Sequence, residues 1–314
     1  MKIITFIQST DGKINNNSIE AFSASQKISE KNNAQIYLLT FDASLVEQLT
    51  NYKSNGIIVV DKSELKDYNP IYYLSTLEFI YNKYSPDLLF FGHTYETRDW
   101  VPRLSARLNM PFISDSTNFN FENELSFLRP IYQAKLNERI VLDNKGIVSF
   151  QAGSFNSEDL ISGNSSLEKI DVDLSSIELN VKPGEKFRES ANEVDLSSAE
   201  VIVSIGRGIS KEENIPIVKK LAKKLNAQIA ASRPVVDSGW LDHSRQVGSS
   251  GQTVSPKLYL SVGISGAIQH LVGMKGSKNI IAINKDPNAP IFEIADYAVI
   301  GDLFEILPKL TEQL

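Results

Sequence analysis

The chain has no cysteine, which excludes disulfides, thiolate chemistry and cysteine-held iron–sulfur clusters. Its three histidines, His93, His243 and His270, stand far apart, and no metal-ligand spacing joins them, so no metal is expected. No apolar run approaches the ~20 residues needed to cross a bilayer, and direct membrane insertion is not expected. The N-terminus, Met1 to Gln8, turns polar at Ser9-Thr10-Asp11-Gly12, too soon for a signal-peptide apolar core. The missing leader points to a bacterial cytoplasm rather than a mitochondrial matrix. Positive charge is also scarce: 32 Lys and Arg against 38 Asp and Glu leave a formal charge of −6, which argues against binding nucleic acid. No glycine–lysine–serine/threonine phosphate loop occurs, and no nucleophile–base pairing supports a hydrolase. Chemistry here is expected to belong to a bound cofactor.

What is present is a regular alternation. Short β-branched runs alternate with helical stretches along all 314 residues, which predicts an α/β protein of two domains with mostly parallel sheets. In the first half, strands are expected at 3–7, 36–40, 56–60 and 88–92, with helices at 18–31, 72–84 and 99–108. The pattern then changes. Segments 119–127, 131–136, 139–143 and 147–150 alternate as antiparallel strands would, with Asp143-Asn144-Lys145-Gly146 as the last turn. Residues 156–198 are rich in Ser, Glu, Asp and Asn, and the domain boundary is placed near residue 190, giving domains 1–190 and 191–314. His93, Trp100 and the Tyr72-Tyr73 pair are read as packing or subunit-interface residues.

In the second half, strands are expected at 200–205, 228–231, 258–262, 279–283 and 297–300, with a helix at 216–225. Each strand runs into small, polar or charged residues: Gly206-Arg207-Gly208, Ser232-Arg233-Pro234, Gly263-Ile264-Ser265-Gly266, Asn284-Lys285-Asp286 and Gly301-Asp302. A Gly/Ser-rich loop, Gln246 to Gln252, lies between the second and third of these strands. In an open parallel sheet, ligands bind beyond the carboxyl ends of the strands. Glycine and serine there let backbone N–H groups approach a ligand, and a helix start at Ala267-Ile268-Gln269-His270 favours an anion. One such loop is an ordinary turn; five together predict a dinucleotide site, for FAD or NAD. Gly206-Arg207-Gly208-Ile209-Ser210-Lys211 does not decide between them, because Lys211 stands where the dinucleotide fingerprint has its third glycine.

The segment Leu258-Tyr259-Leu260-Ser261-Val262-Gly263-Ile264-Ser265-Gly266-Ala267-Ile268-Gln269-His270-Leu271 resembles the signature of electron-transferring flavoprotein α subunits. Gly273-Met274-Lys275, Ile281 to Pro287, Asp237-Ser238-Gly239, Gln246-Val247-Gly248, Ala295-Asp296-Tyr297 and Asp302-Leu303-Phe304 extend it from about residue 200 to the end. The first half resembles the family more loosely, best at Arg103 to Leu108 before Ile113-Ser114-Asp115. The resemblance implies a Rossmann-like C-terminal domain that binds FAD and a nucleotide-hydrolase-like N-terminal domain that contacts a β subunit. It implies an electron carrier rather than an enzyme with its own turnover. Electrons would pass from acyl-CoA or other dehydrogenases, as in fatty acid β-oxidation, to a membrane quinone oxidoreductase. Carried over by position, Arg207, Ser232, Arg233, Gln246, Val247, Gly248, Ser249, Ser250, Ser265, Gly266, Ala267, Ile268, Gln269, His270, Asn284, Asp302 and Leu303 line the FAD. The resemblance sets Arg233 near the flavin ring, Ser250 at N5 and His270 at the C2 carbonyl.

Those roles fit a ring whose reduced forms are negatively charged: Arg233 cannot lose its charge, and His270 can donate toward the ring oxygen. One charge-assisted hydrogen bond contributes about 1.5–3 kcal/mol, roughly 65–130 mV for a one-electron couple. After Val247-Gly248 this chain reads Ser249-Ser250-Gly251-Gln252, where family members more often carry glutamine, threonine, glycine and lysine. Ser250 keeps the hydroxyl without the methyl, and Gln252 lacks the lysine's charge. Trp240 is read as a core residue. Two other functions fit the same sheet: the α subunit of an electron-bifurcating flavoprotein, and an NAD-dependent oxidoreductase or nucleotide-binding module.

Overall fold

A computed structural model describes residues 1–10, 12–121, 124–132, 134–184, 194, 196 and 199–314. The chain separates into two compact units, one of Met1–Ile131 with Lys135–Lys186 and one of Tyr132–Ala134 with Phe187–Leu314. The boundary expected near residue 190 lies outside the described residues.

The first unit is a seven-stranded sheet flanked by helices. Its elements begin with β1 (Lys2–Phe6), α1 (Asn16–Asn32), β2 (Gln35–Thr40), β3 (Gly56–Val59), α2 (Pro70–Tyr84), β4 (Leu88–Gly92), α3 (Tyr95–Leu108) and β5 (Phe112–Ser116). They continue with β6 (Asn118–Phe121), β7 (Leu125–Ile131), β8 (Leu136–Val141), β9 (Gly146–Phe150) and β10 (Leu167–Lys169). The sheet runs β10-β3-β2-β1-β4-β9-β5, and every pairing in it is parallel. Because both faces are covered, alternate residues enter two separate cores: Ile3, Leu38, Ile57 and Phe90 on one side, Ile4, Leu39, Ile58 and Phe91 on the other. The helices start on side-chain caps, with Asn15, Asn69 and Thr94 accepting from the backbone N–H of Asn17, Ile71 and Thr97. Trp100 and Tyr73 are buried in the second core, with Tyr72 packed against it. His93 bonds Ser149 through Nδ1 at 2.8 Å.

Two expectations need correction. Residues 147–150 are not antiparallel: β9 inserts between β4 and β5 as a parallel strand of the main sheet. A short run buried on both faces looks the same in sequence whichever way its neighbours run. The expected strands at 119–127 and 131–136 also regroup. β6, β7 and β8 form a separate three-stranded antiparallel sheet, in which Ile131 and Leu136 are register partners closing a hairpin.

The second unit holds β11 (Val201–Ile205), α4 (Ile215–Lys224), β12 (Gln228–Ala231), α5 (Arg233–Asp237), β13 (Leu258–Val262), α6 (Ile268–Leu271), β14 (Ile280–Asn284), β15 (Tyr297–Ile300) and α7 (Leu303–Gln313). Its five strands are parallel in the order β12-β11-β13-β14-β15. The first strand thus lies between the second and third, and successive connections leave in opposite directions from β11 and β13. That reversal opens a crevice beyond their carboxyl ends. Val203, Ile205, Leu260 and Val262 pack under α4 and α7 on one face. Ile202, Tyr259, Ile280 and Ala282 face the other way, against Val247, Val254 and Met274. Trp240 packs against the first of these cores. Among the described residues no helix is long and apolar enough to cross a membrane, and no group of three or more His, Cys, Asp or Glu could hold a metal ion.

Candidate functional site

A cavity of about 880 Å³ opens at that crevice, within the range of organic-cofactor pockets. Its walls come from every strand end around the reversal: Arg207 and Gly208 after β11, Ser232 and Arg233 after β12, Gly263 to Ser265 after β13, and Asn284 and Asp286 at β14. The loops at 247–250 and 267–270 and the residues Ala289 and Pro290 complete it. Of the seventeen expected residues twelve meet here, namely Arg207, Ser232, Arg233, Val247, Gly248, Ser249, Ser250, Ser265, Ala267, Gln269, His270 and Asn284.

Glycine lets the loops after β11 and β13 pack directly against each other at the base of the crevice. Gly263 has φ +64°, and a Cβ there would lie 2.9 Å from Gly208 Cα and 3.1 Å from the Leu303 side chain. The two loops are joined instead by a hydrogen bond from Gly208 N–H to the Gly263 carbonyl at 3.0 Å. Asn284 braces the same wall: its amide donates to the Ile264 carbonyl at 2.8 Å and its oxygen accepts from Asp286 N–H at 3.0 Å.

The loop from Gln246 to Gln252 is fixed at both ends. Val247 N–H bonds the Ala231 carbonyl at 2.9 Å and Ser249 N–H the Gln269 carbonyl at 2.7 Å. Gln246 is buried and does not line the cavity; its amide donates to Ser250 Oγ at 2.9 Å. That bond occupies an acceptor site on the hydroxyl and leaves its proton for a ligand. Gln252 points inward as well. Its amide donates to the carbonyls of Val194 and Ser244 while its oxygen accepts from Leu196 N–H at 2.9 Å. A lysine has no acceptor and could not make this clamp, so Gln252 exchanges a charge for an anchor.

Four expected residues lie outside the lining besides Gln246 — Gly266, Ile268, Asp302 and Leu303. Gly266 is buried against the backbone of Ile291, and Ile268 is exposed. Asp302 caps α7 by accepting from Phe304 N–H at 2.8 Å, and Leu303 packs in the core behind Gly263. The expected helix start at 267–270 is a single turn, α6, so its dipole is small. Its first bond runs from His270 N–H to the Ala267 carbonyl at 2.8 Å, which leaves the N–H groups of Ile268 and Gln269 without a partner inside the turn. Gly208, Pro234, Gly263, Ile264 and Asp286, all in the strand-end segments, line the cavity too, whereas Ala289 and Pro290 line it without having been singled out, since nothing in their residue types marks a ligand contact.

The charged groups differ in how firmly they are held. Arg207 forms no ion pair among the described residues, and Arg233 has only an exposed contact with Asp237 at 3.3 Å. Such pairs contribute about 0–1 kcal/mol, so either guanidinium can turn to an anionic ligand at little cost. His270 is only 6% exposed. Its Nε2 lies 3.0 Å from the Tyr259 hydroxyl, and its Nδ1 is buried with no hydrogen-bond partner among the described residues. Burial pushes its pKa down to about 4, with a backbone contact at Val247 opposing the shift. The ring is therefore neutral at pH 7.

Two cationic side chains, a hydroxyl with a free proton, a buried orphan ring nitrogen and open backbone N–H groups fit an anionic cofactor that carries a polar ring system. FAD is such a group. The chain matches two family models: the electron transfer flavoprotein domain over residues 3–175 and the electron transfer flavoprotein FAD-binding domain over residues 195–275. It is 37% identical, over 99% of this chain and 97% of the relative, to the electron transfer flavoprotein subunit alpha of Bacillus subtilis (strain 168). Protein FixB of Clostridium saccharobutylicum is 33% identical over 98% of this chain and 94% of that protein. The lactate dehydrogenase (NAD(+),ferredoxin) subunit LctC of Acetobacterium woodii is 31% identical over 98% of this chain and 75% of its own length. With both halves matched, the chain belongs to the electron transfer flavoprotein α-subunit family, and FAD is its cofactor.

Proposed function

We propose that this chain pairs with a β subunit and carries electrons from dehydrogenases, acyl-CoA dehydrogenases among them, to a membrane quinone oxidoreductase. Fatty acid β-oxidation is the pathway this reading serves, and the bacterial cytoplasm its setting. FAD supplies the electron chemistry. The single observation that supports the reading best is the crevice between β11 and β13, where Arg207, Arg233, Ser250 and His270 face one cavity of about 880 Å³.

In this reading the chain's own residues divide the work. Arg233 places a permanent positive charge beside the ring and so favours the negative charge that the ring gains on reduction. Ser250, its oxygen held by Gln246, directs a proton toward N5. His270 directs an N–H toward the C2 carbonyl. Arg207, Ser232 and the N–H groups of the 265–269 segment hold the rest of the cofactor. Gln246, Gly266, Ile268, Asp302 and Leu303 act from behind by shaping the wall. Residues 1–190 present the surface for the β subunit.

The absorption spectrum of the chain purified with its β subunit tests this reading: flavin bands are expected, and their absence would defeat it. A second reading has support from the relatives. One is named as a subunit of a lactate dehydrogenase using NAD(+) and ferredoxin, and another, from Anaerotignum propionicum, as an acryloyl-CoA reductase electron transfer subunit. An electron-bifurcating role predicts two flavins per heterodimer, the carrier role one per chain of this type.

A further inference from the structure

His270 touches the cavity, yet one ring nitrogen is taken by a residue that does not. Tyr259 lies on β13, is fully buried, and faces the core opposite α4 and α7. Its hydroxyl is 3.0 Å from His270 Nε2, with the ring centroids 6.1 Å apart. On the FAD reading of this cavity, we propose that Tyr259 is a positioning residue: its O–H donates to His270 Nε2, so that the imidazole carries its proton on Nδ1 and offers that N–H to the cofactor's carbonyl.

The direction of the bond follows from counting donors. His270 Nε2 is the partner within good hydrogen-bond distance of the Tyr259 hydroxyl among the described residues. Ser204 and Ser261 are register partners on neighbouring strands, and two residues from Ile202 and Tyr259 they share the same sheet face. Their buried hydroxyl oxygens meet no hydrogen-bond geometry among the described residues, and Ser204 lies close enough to the Tyr259 hydroxyl to oppose part of its pKa rise. If Nε2 carried the proton and donated to Tyr259, the phenol proton would fall back on the Ser204 hydroxyl beside it and the Nδ1 lone pair would be stranded. A buried polar group left unpaired costs about 1–3 kcal/mol. With Tyr259 as donor the ring keeps no stranded lone pair: the proton sits on Nδ1, where the Val247 backbone opposes the pKa fall as an acceptor does and a ligand carbonyl can accept it. Burial pushes the Tyr259 phenol up, which keeps its proton in place as a donor at neutral pH. His270 then acts through a directed neutral N–H, while Arg233 supplies the charge.

Long-range ¹⁵N–¹H correlation spectra of the ¹⁵N-histidine-labelled full chain read the tautomer directly, and only three histidines need assigning. Without added FAD, His270 is expected to show the Nδ1–H pattern, unchanged from pH 8 to about 5.5. Tyr259→Phe keeps the ring and removes the hydroxyl. It is expected to lose that tautomer preference and to weaken FAD about five- to tenfold, the equivalent of one hydrogen bond. An Nε2–H pattern in the unsubstituted chain overturns the proposal without any variant. So does a Tyr259→Phe chain whose His270 keeps its tautomer. A changed tautomer with unchanged FAD affinity overturns the contact with the cofactor. Loss of the FAD reading itself would show separately, as no flavin bands in the unsubstituted protein while the tautomer pattern stands.

Discussion

The two parallel sheets of this chain treat their carboxyl ends in opposite ways. In the first unit the edge is closed by the protein's own side chains. Gln8 bonds Glu96 at 2.9 Å and Thr94 at 2.8 Å, Ser9 bonds Asp42, His93 bonds Ser149, and Glu20 accepts from Gly153 N–H at 2.7 Å. Helix α1 also sits against the end of β4, where a Cβ on Gly92 would come within 2.5 Å of the Asn17 backbone. In the second unit the same edge is left open, where Arg207 has no ion pair and His270 Nδ1 no hydrogen-bond partner among the described residues. One sheet is satisfied internally; the other is completed by a ligand. A shared architecture therefore does not assign a site: satisfaction of the polar groups at the strand ends does.

Glycine substitutions break this contrast most strongly. Gly263→Val forces a β-branched side chain into a left-handed backbone against Gly208 and Leu303. Strain and overpacking together should cost about 3 kcal/mol or more, and flavin should be absent from the purified heterodimer's spectrum. Gly92→Ala in the closed edge should cost about 1–3 kcal/mol by thermal unfolding, with any flavin retained by the folded fraction. Equal loss of flavin in both variants would erase the distinction between the two edges.

One buried group in each unit should respond to pH in the opposite direction. Burial raises Glu20 from 4.5 to about 7, so its contribution to the first unit is fully present below about pH 4.5 and is lost as pH rises through about 7. Burial lowers His270 from 6.5 to about 4, so the second unit holds its contribution above about pH 6.5 and loses it as pH falls toward 4. Each is on the order of 3 kcal/mol. Hydrogen exchange followed by unit between pH 4 and 8 should show the crossing, and Glu20→Gln should flatten only the first curve. A Glu20→Gln chain whose first unit keeps an unchanged pH dependence would contradict the Glu20 assignment.

Smaller effects sharpen the open site. Gln246→Ala should leave Ser250 unguided and weaken FAD roughly five- to tenfold by equilibrium titration, with about 1 kcal/mol lost in stability. Asp237→Ala should change the melting free energy by less than about 1 kcal/mol, since it removes only an exposed pair with Arg233. If freeing Arg233 in that variant leaves the flavin midpoint potential where it was, the guanidinium does not act on the ring.

Much of this was legible in the linear chain. The alternation of short apolar runs and helices gave both parallel sheets, because strands buried on both faces require continuous β-branched runs. β9 was misplaced because Gly146–Phe150 carries no mark of its neighbours' direction. Within the site, most residues named just past a strand end meet at one cavity, while Asp302 and Leu303 past β15 do not line it. Gln246 turns to Ser250 instead, because an amide reads the same whether it faces a ligand or its own loop.

The residues themselves determined that polar groups follow every strand of the second half and that two arginines and a histidine stand among them. Only the tertiary structure decided which of these groups are left without partners. β11 lies beside β13, which sets Gly208 against Gly263, and Tyr259 lies under His270 from eleven residues away. Those contacts depend on strand order and on the path of loops. Local periodicity fixes neither, because it records which face a residue takes and not what waits there.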